Sequence, residues 1–145
     1  MSILEAPAAD PHATPRALSP RAAWVNLTTV SGAHAVIHAY AVLLPLVYPI
    51  LQAEYHLNFT EVGLLITIPN LIGGLIQVVF GYLGRRVSRK VLIGVGNMVV
   101  GISMFFTGVS ATYGGFLGWG VLRSIGSGPQ HPVGSALLTD SFERK

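Results

Sequence analysis

The chain has 145 residues, of which 51% are hydrophobic and only 10% charged, with a net charge of +3 at pH 7. Soluble domains carry about a quarter charged residues, and polar side chains this scarce would not cover a water-facing surface, so the composition points to lipid. There is no cysteine, hence no disulfide framework and no thiolate metal site, and so small a net charge argues against a nucleic-acid partner.

Residues 1–29 read as a disordered lead-in, rich in Ala and Pro, with Pro7, Pro11, Pro15 and Pro20 and no helical apolar periodicity. The tail is not a signal peptide, because the first apolar run is too long for one and further runs follow. From Ala22 to Ala53 no Asp, Glu, Lys or Arg occurs, ample for a membrane span of about 20 residues. The first span is expected at about 30–53, with Pro45 and Pro49 bending its outer half. The polar connection "EYHLNFTE" follows, in which Asn58 or Thr60 is placed to cap the next helix and Glu61 to sit in its first turn.

The second span is expected at 62–84. Its small and polar residues, Gly63, Thr67, Asn70, Gly74, Gln77 and Gly81, recur at helical spacing and form one stripe. In lipid such a stripe is where another helix comes close. After the basic stretch "GYLGRRVSRK", the third span is expected at 91–109, with Gly94, Asn97, Gly101 and Gly108 on one face. Ser110 to Thr112 is a tight turn. The fourth span, 113–139, contains Arg123 and is interrupted at "GSGPQHP" by two prolines. The expected fold is therefore all-α, a polytopic bundle of four transmembrane helices over 30–145, because a segment in lipid must satisfy its own backbone. The short alternating segments of a β-barrel are absent.

Charge distribution sets the expected orientation. Arg16 and Arg21 precede the first span, Arg85, Arg86, Arg89 and Lys90 separate the second from the third, and Arg144 and Lys145 follow the fourth. The two opposite loops hold no Lys or Arg. Positive charge stays inside, so both termini are expected in the cytoplasm, in a multi-pass protein of the inner (plasma) membrane.

Four intramembrane residues are candidates for chemistry. Arg123 lies at hydrocarbon depth, where an ionisable side chain defaults to a functional role and a guanidinium facing a cavity attracts an anionic group. His34 and His38 stand four apart on one helical face. Three readings are open for them: proton carriers, since imidazole titrates near neutral pH; ligands of a metal or haem together with His131; or polar contacts between helices. His131 adjoins Pro129 and Pro132, which free backbone carbonyls beside protein or a watery cavity. If the first and fourth spans are neighbours, His38 and His131 line one cavity. Asp140, at the cytoplasmic end of the fourth span, is placed to pair with Arg85, Arg86 or Arg89. No nucleotide loop, metalloprotease signature or nucleophile elbow is present, and "GVGNMVVG" lies in a span rather than after a soluble strand. Neither an enzyme nor a bound cofactor is expected.

Three of these stretches together resemble the major facilitator superfamily. The basic loop resembles its signature G-x-L-a-D-r-x-G-r-k, matched by Gly81, Leu83, Arg86, Arg89 and Lys90, with Arg85 in place of the usual Asp and Ser88 in place of Gly. The first span, "HAVIHAYAVLLP", is similar to the H-x-x-N-D-x-Y-x-x-x-x-P opening of the fosmidomycin-resistance-like branch, with His38 in place of the acid. The segment "IGSGPQHPVGSALL" resembles that branch's G-S-G-x-x-H-P-x-G-S-A closely. The resemblance implies the N-terminal part of a twelve-helix secondary transporter, whose first and fourth spans line a substrate cavity at the midplane. It places His34, His38, Arg123 and His131 in that cavity, and it makes the basic loop with Asp140 a cytoplasmic gate. The expected partners are the bilayer, a small-molecule substrate in the intact protein, and the remaining helices of the same transporter. The expected function is solute movement by alternating access, with protons as the coupling ion, which this stretch alone does not perform. The alternatives are a self-contained four-span assembly factor or small dimeric exporter joined through glycine stripes, and a haem or metal protein using the three histidines.

Overall fold

The computed structural model describes residues 19–142. Five helices follow in order: α1 Pro20–Glu54, α2 Phe59–Leu83, α3 Arg89–Gly108, α4 Tyr113–Ser127 and α5 Pro132–Phe142. No strand occurs among the described residues. Helices α1, α2 and α3 are each long and apolar enough to cross a membrane. The fourth expected span is realised as two pieces, α4 and α5, separated by a turn at 128–131.

The helix ends follow from local chemistry. Asn58 and Glu61 form a full capping box: the Asn58 side chain accepts from the Glu61 backbone N–H at 2.9 Å, and Glu61 Oε2 accepts from the Asn58 N–H at 2.8 Å. Thr112 caps α4 by accepting from Gly115 N–H. The first helix corrects the expected tail of residues 1–29, since residues 20–29 are helical. Ser19 Oγ accepts from Ala22 N–H, and Pro20 occupies the first turn, where its missing donor costs nothing. The earlier residues of that tail lie outside the described range. Helix α1 runs on through Pro45 and Pro49 without interruption.

Helix α4 packs mainly against α3 and α2, and α5 against α1, α3 and α2. The apolar contacts gather in two clusters. One joins Val30, Ile93 and Val133 with Phe80 and Leu137. The other joins Tyr48, Leu51 and Leu65 with Tyr55, Tyr113 and Phe116. Large apolar residues elsewhere face outward, among them Val42, Leu46 and Val78, as lipid-facing positions do.

The expected stripes meet other helices only in part, at Gly81 against Pro132 and at Asn97, which accepts from Gln130. On α2 the buried positions are Leu65, Pro69 and Gly73, and on α3 they are Ile93, Gly96, Val100, Ser103 and Thr107. Each set is offset by one residue, about 100° around the helix, from the stripe read in the sequence. A Cβ added at Gly63, Gly74, Gly94, Gly101 or Gly108 would meet nothing. Small residues permit close approach without requiring it, and the true lines are equally small: Gly73 lies against Ser124, Gly120 against Pro69, and Gly96 against Gly126.

Candidate functional site

The break between α4 and α5 organises the polar interior. Pro129 supplies no N–H to continue α4, and Gly128 keeps right-handed helical angles at a point where a Cβ would collide with Ile76 and Phe80. The chain recovers at once: Val133 and Gly134 N–H both donate to the Pro129 carbonyl, and Ser135 N–H donates to that of His131. Between the two pieces, Gln130 is 5% exposed and its Nε2 donates to Asn97 Oδ1 on α3, while its Oε1 is buried without a partner.

The break delivers His131 to α1. The His34 ring lies 4.4 Å from that of His38 and 5.1 Å from that of His131, both edge-on. His34 is half-buried, whereas His38 and His131 are exposed. A cleft of about 330 Å³ opens here, lined by Ser31, His34, Gln130, His131 and Ser135. Among the described residues, no group of three or more His, Asp or Glu side chains is arranged to hold a metal ion.

Arg123 occupies a different site from the histidines. Its guanidinium carbon stands 5.5 Å from the centroid of the Tyr40 ring, a cation–π arrangement. Its Nε is buried with no hydrogen-bond partner. It shares a small pocket of about 10 Å³, room for one water, with Tyr40, Tyr48, Leu65, Thr107 and Phe116. The Thr107 hydroxyl donates to the Ser103 carbonyl rather than bonding Arg123. The four intramembrane candidates therefore divide into a histidine trio at the α1–α5 contact and an arginine–tyrosine pair between α1 and α4.

At the end of the bundle that carries the basic loop, Arg89 is the arginine that meets Asp140. One guanidinium nitrogen, NH1, donates both to that carboxylate and to the Ala136 carbonyl on α5. Arg86 lies over the Tyr82 ring at 5.0 Å, and Arg85 and Lys90 are exposed. Gly84 ends α2 against Val133, where a Cβ would come within 3.1 Å of a valine methyl; Gly81 faces Pro132 more loosely. Sequence reasoning missed the Tyr40–Arg123 and Gln130–Asn97 pairs. For the second a signal existed, since Gln130 and Asn97 each sit in an uncharged run, where a lone amide seeks a partner.

The comparisons with known proteins agree with this architecture. The sequence profile of the Major Facilitator Superfamily matches residues 30–145. The chain belongs to that family, a family of membrane transporters, and is an integral membrane protein. It is 28% identical over 128 residues to the "Uncharacterized MFS-type transporter YwoD" of Bacillus subtilis (strain 168). That match covers 88% of this chain and 28% of the relative, so the chain spans little more than a quarter of the relative's length. No solved structure matches.

Proposed function

We propose that this chain is the N-terminal portion of a secondary active transporter that moves a small solute by alternating access, and that proton coupling runs through the histidine trio. The family match over 30–145 carries the transporter reading. The fosmidomycin-resistance-like motifs on α1 and at the α4–α5 break support the finer branch. The coupling reading is supported by the three imidazoles, which meet beside a broken helix and an open cleft. Imidazole is the side chain suited to take up and release a proton near neutral pH, and the interruption of the span supplies polar backbone at the same place.

The basic loop is proposed as cytoplasmic, with Arg89 and Asp140 tying the start of α3 to the end of α5 in one conformation of the gate. Gly81 and Gly84 bring α2 close to α5 there, and Arg85, Arg86 and Lys90 hold the loop in the cytoplasm. The outward-facing glycines of α2 and α3 favour a second reading, a compact four-span protein that associates with a copy of itself through those faces.

Solute flux in proteoliposomes holding the intact transporter tests the coupling. His38→Ala should flatten the dependence of flux on pH, and an unchanged profile would assign the histidines to packing. A size measurement on the 145-residue chain separates the two architectures. A dimer that carries solute unaided would sink the N-terminal-portion reading.

A further inference from the structure

We propose that Arg123 and the tyrosines of α1 form the anion-binding end of the solute site, and that the solute is a small organic monoanion with an apolar body. The inference rests on the solute-carrier reading and names the substrate class of its cavity.

A guanidinium within a membrane span needs an opposite charge or a full set of acceptors. Arg123 has neither at its Nε, which is buried and unbonded. Its nearest companion is an aromatic face, which attracts the cation without occupying its N–H groups. No Asp or Glu occurs between Val62 and Thr139, so α3 and α4 carry no acid, and Glu61, in the first turn of α2, is engaged by the Asn58 N–H. On α1 the nearest acid is Glu54, 14 residues beyond Tyr40 and thus about 21 Å along the axis. The other groups around Arg123 are the phenols of Tyr40 and Tyr48. Neither phenol donates to another protein group among the described residues. The acceptors beside Arg123 are the neutral hydroxyl oxygens of Tyr40, Tyr48 and Thr107, none of which offsets its charge, and the ligand chemistry that completes the site is an anion.

The adjoining cavity indicates the rest of the ligand. A space of about 390 Å³ shares Tyr40, Leu44, Thr107 and Phe116 with the arginine pocket. Its walls include the apolar Val47 and Ile50 on α1 and Met104 on α3, together with Glu54, Tyr55 and Ser110. Volumes of this size suit small organic ligands. The arginine pocket has room only for a water, so the charged head meets the guanidinium from the side of the larger cavity, where Tyr40 and Phe116 line both spaces, and the apolar body lies along α1. A carboxylate on a short alkyl chain has this shape, and charge-assisted contacts to it are the strong ones.

The test uses the intact transporter in nanodiscs of phosphatidylcholine, a lipid without net charge, so that no anionic headgroup competes. Equilibrium dialysis compares octanoate with its neutral isostere octanamide. Octanoate should bind saturably and at least about tenfold more tightly than octanamide, the size of a charge-assisted bond. Arg123→Gln should abolish that preference. Equal binding of the two probes, absent octanoate binding, or an undiminished preference in R123Q would each overturn the assignment. The preference of the unmodified protein is read without any variant, so a misfolded R123Q does not shelter the idea. Flux is measured on the same preparation: a protein that carries solutes but ignores the charge of the probe removes the anion site alone. One that binds octanoate selectively yet carries nothing keeps the site and removes the carrier reading.

Discussion

Single residues decide how closely these helices approach. A Cβ on Gly96 would stand 2.5 Å from the Gly126 carbonyl oxygen and 3.2 Å from the Pro129 ring. Neither backbone nor proline ring yields readily, so Gly96→Ala should destabilise the bundle by about 1–3 kcal/mol, the range for overpacking. Gly74 on α2 faces open space, and Gly74→Ala should change stability by at most about 1 kcal/mol, in the stabilising direction that helix propensity dictates. Thermal unfolding in detergent of the two variants side by side checks the contrast. Equal effects would mean that the α3–α4 contact is looser than drawn. His56 shows a different use of one residue. Its φ of 53° places it in the left-handed region, which lets Leu57 N–H reach back to the Gln52 carbonyl and turns the chain from α1 toward α2.

At the scale of elements, the junction between α3 and α5 can be measured. Arg89 and Asp140 are partly exposed, at 32% and 43% of their side chains. A double-mutant cycle with Arg89→Ala and Asp140→Asn should therefore return a coupling of about 0.2–1 kcal/mol that shrinks with added salt. A coupling of zero at low salt would mean that α3 and α5 are held together elsewhere. That an acid at the end of the fourth span would find a partner in the basic loop was legible in the sequence, because both ends carry charge in a chain that otherwise lacks it. The first three spans were legible as uncharged runs, while the sequence narrows the α2 cap only to Asn58 or Thr60, and the structure selects Asn58. The rotation of α2 and α3 was not. Both faces of each helix carry small residues, and in lipid the polarity difference that marks a buried face in water is missing. The ring beside Arg123 was hidden for a related reason: a tyrosine face attracts a cation without any sequence pattern tying it to an arginine 83 positions away.

For the whole molecule, orientation is the property to settle. The chain has no cysteine, so a single Cys can be introduced without removing others. A Cys at Arg85 should react with a membrane-impermeant maleimide only in inside-out vesicles, and a Cys at Asn58 only in intact cells. The reverse pattern would invert the proposed topology. Both positions are exposed and lie between helices, so labelling reports sidedness rather than burial.

The length of α1 has a consequence in time. At 35 residues it measures about 52 Å, well beyond a hydrocarbon core of about 30 Å. Its first turns are held by chain made much later: Asn26 donates to Ser141, 115 residues on, and the Trp24 ring meets that of Phe142 edge-on. At about 5–20 residues per second, a ribosome takes roughly 6–23 s to cover that interval. During synthesis the leading end of α1 thus spends several seconds unclasped, open to whatever accompanies a nascent chain into the bilayer, and the emergence of α5 is the event that closes it.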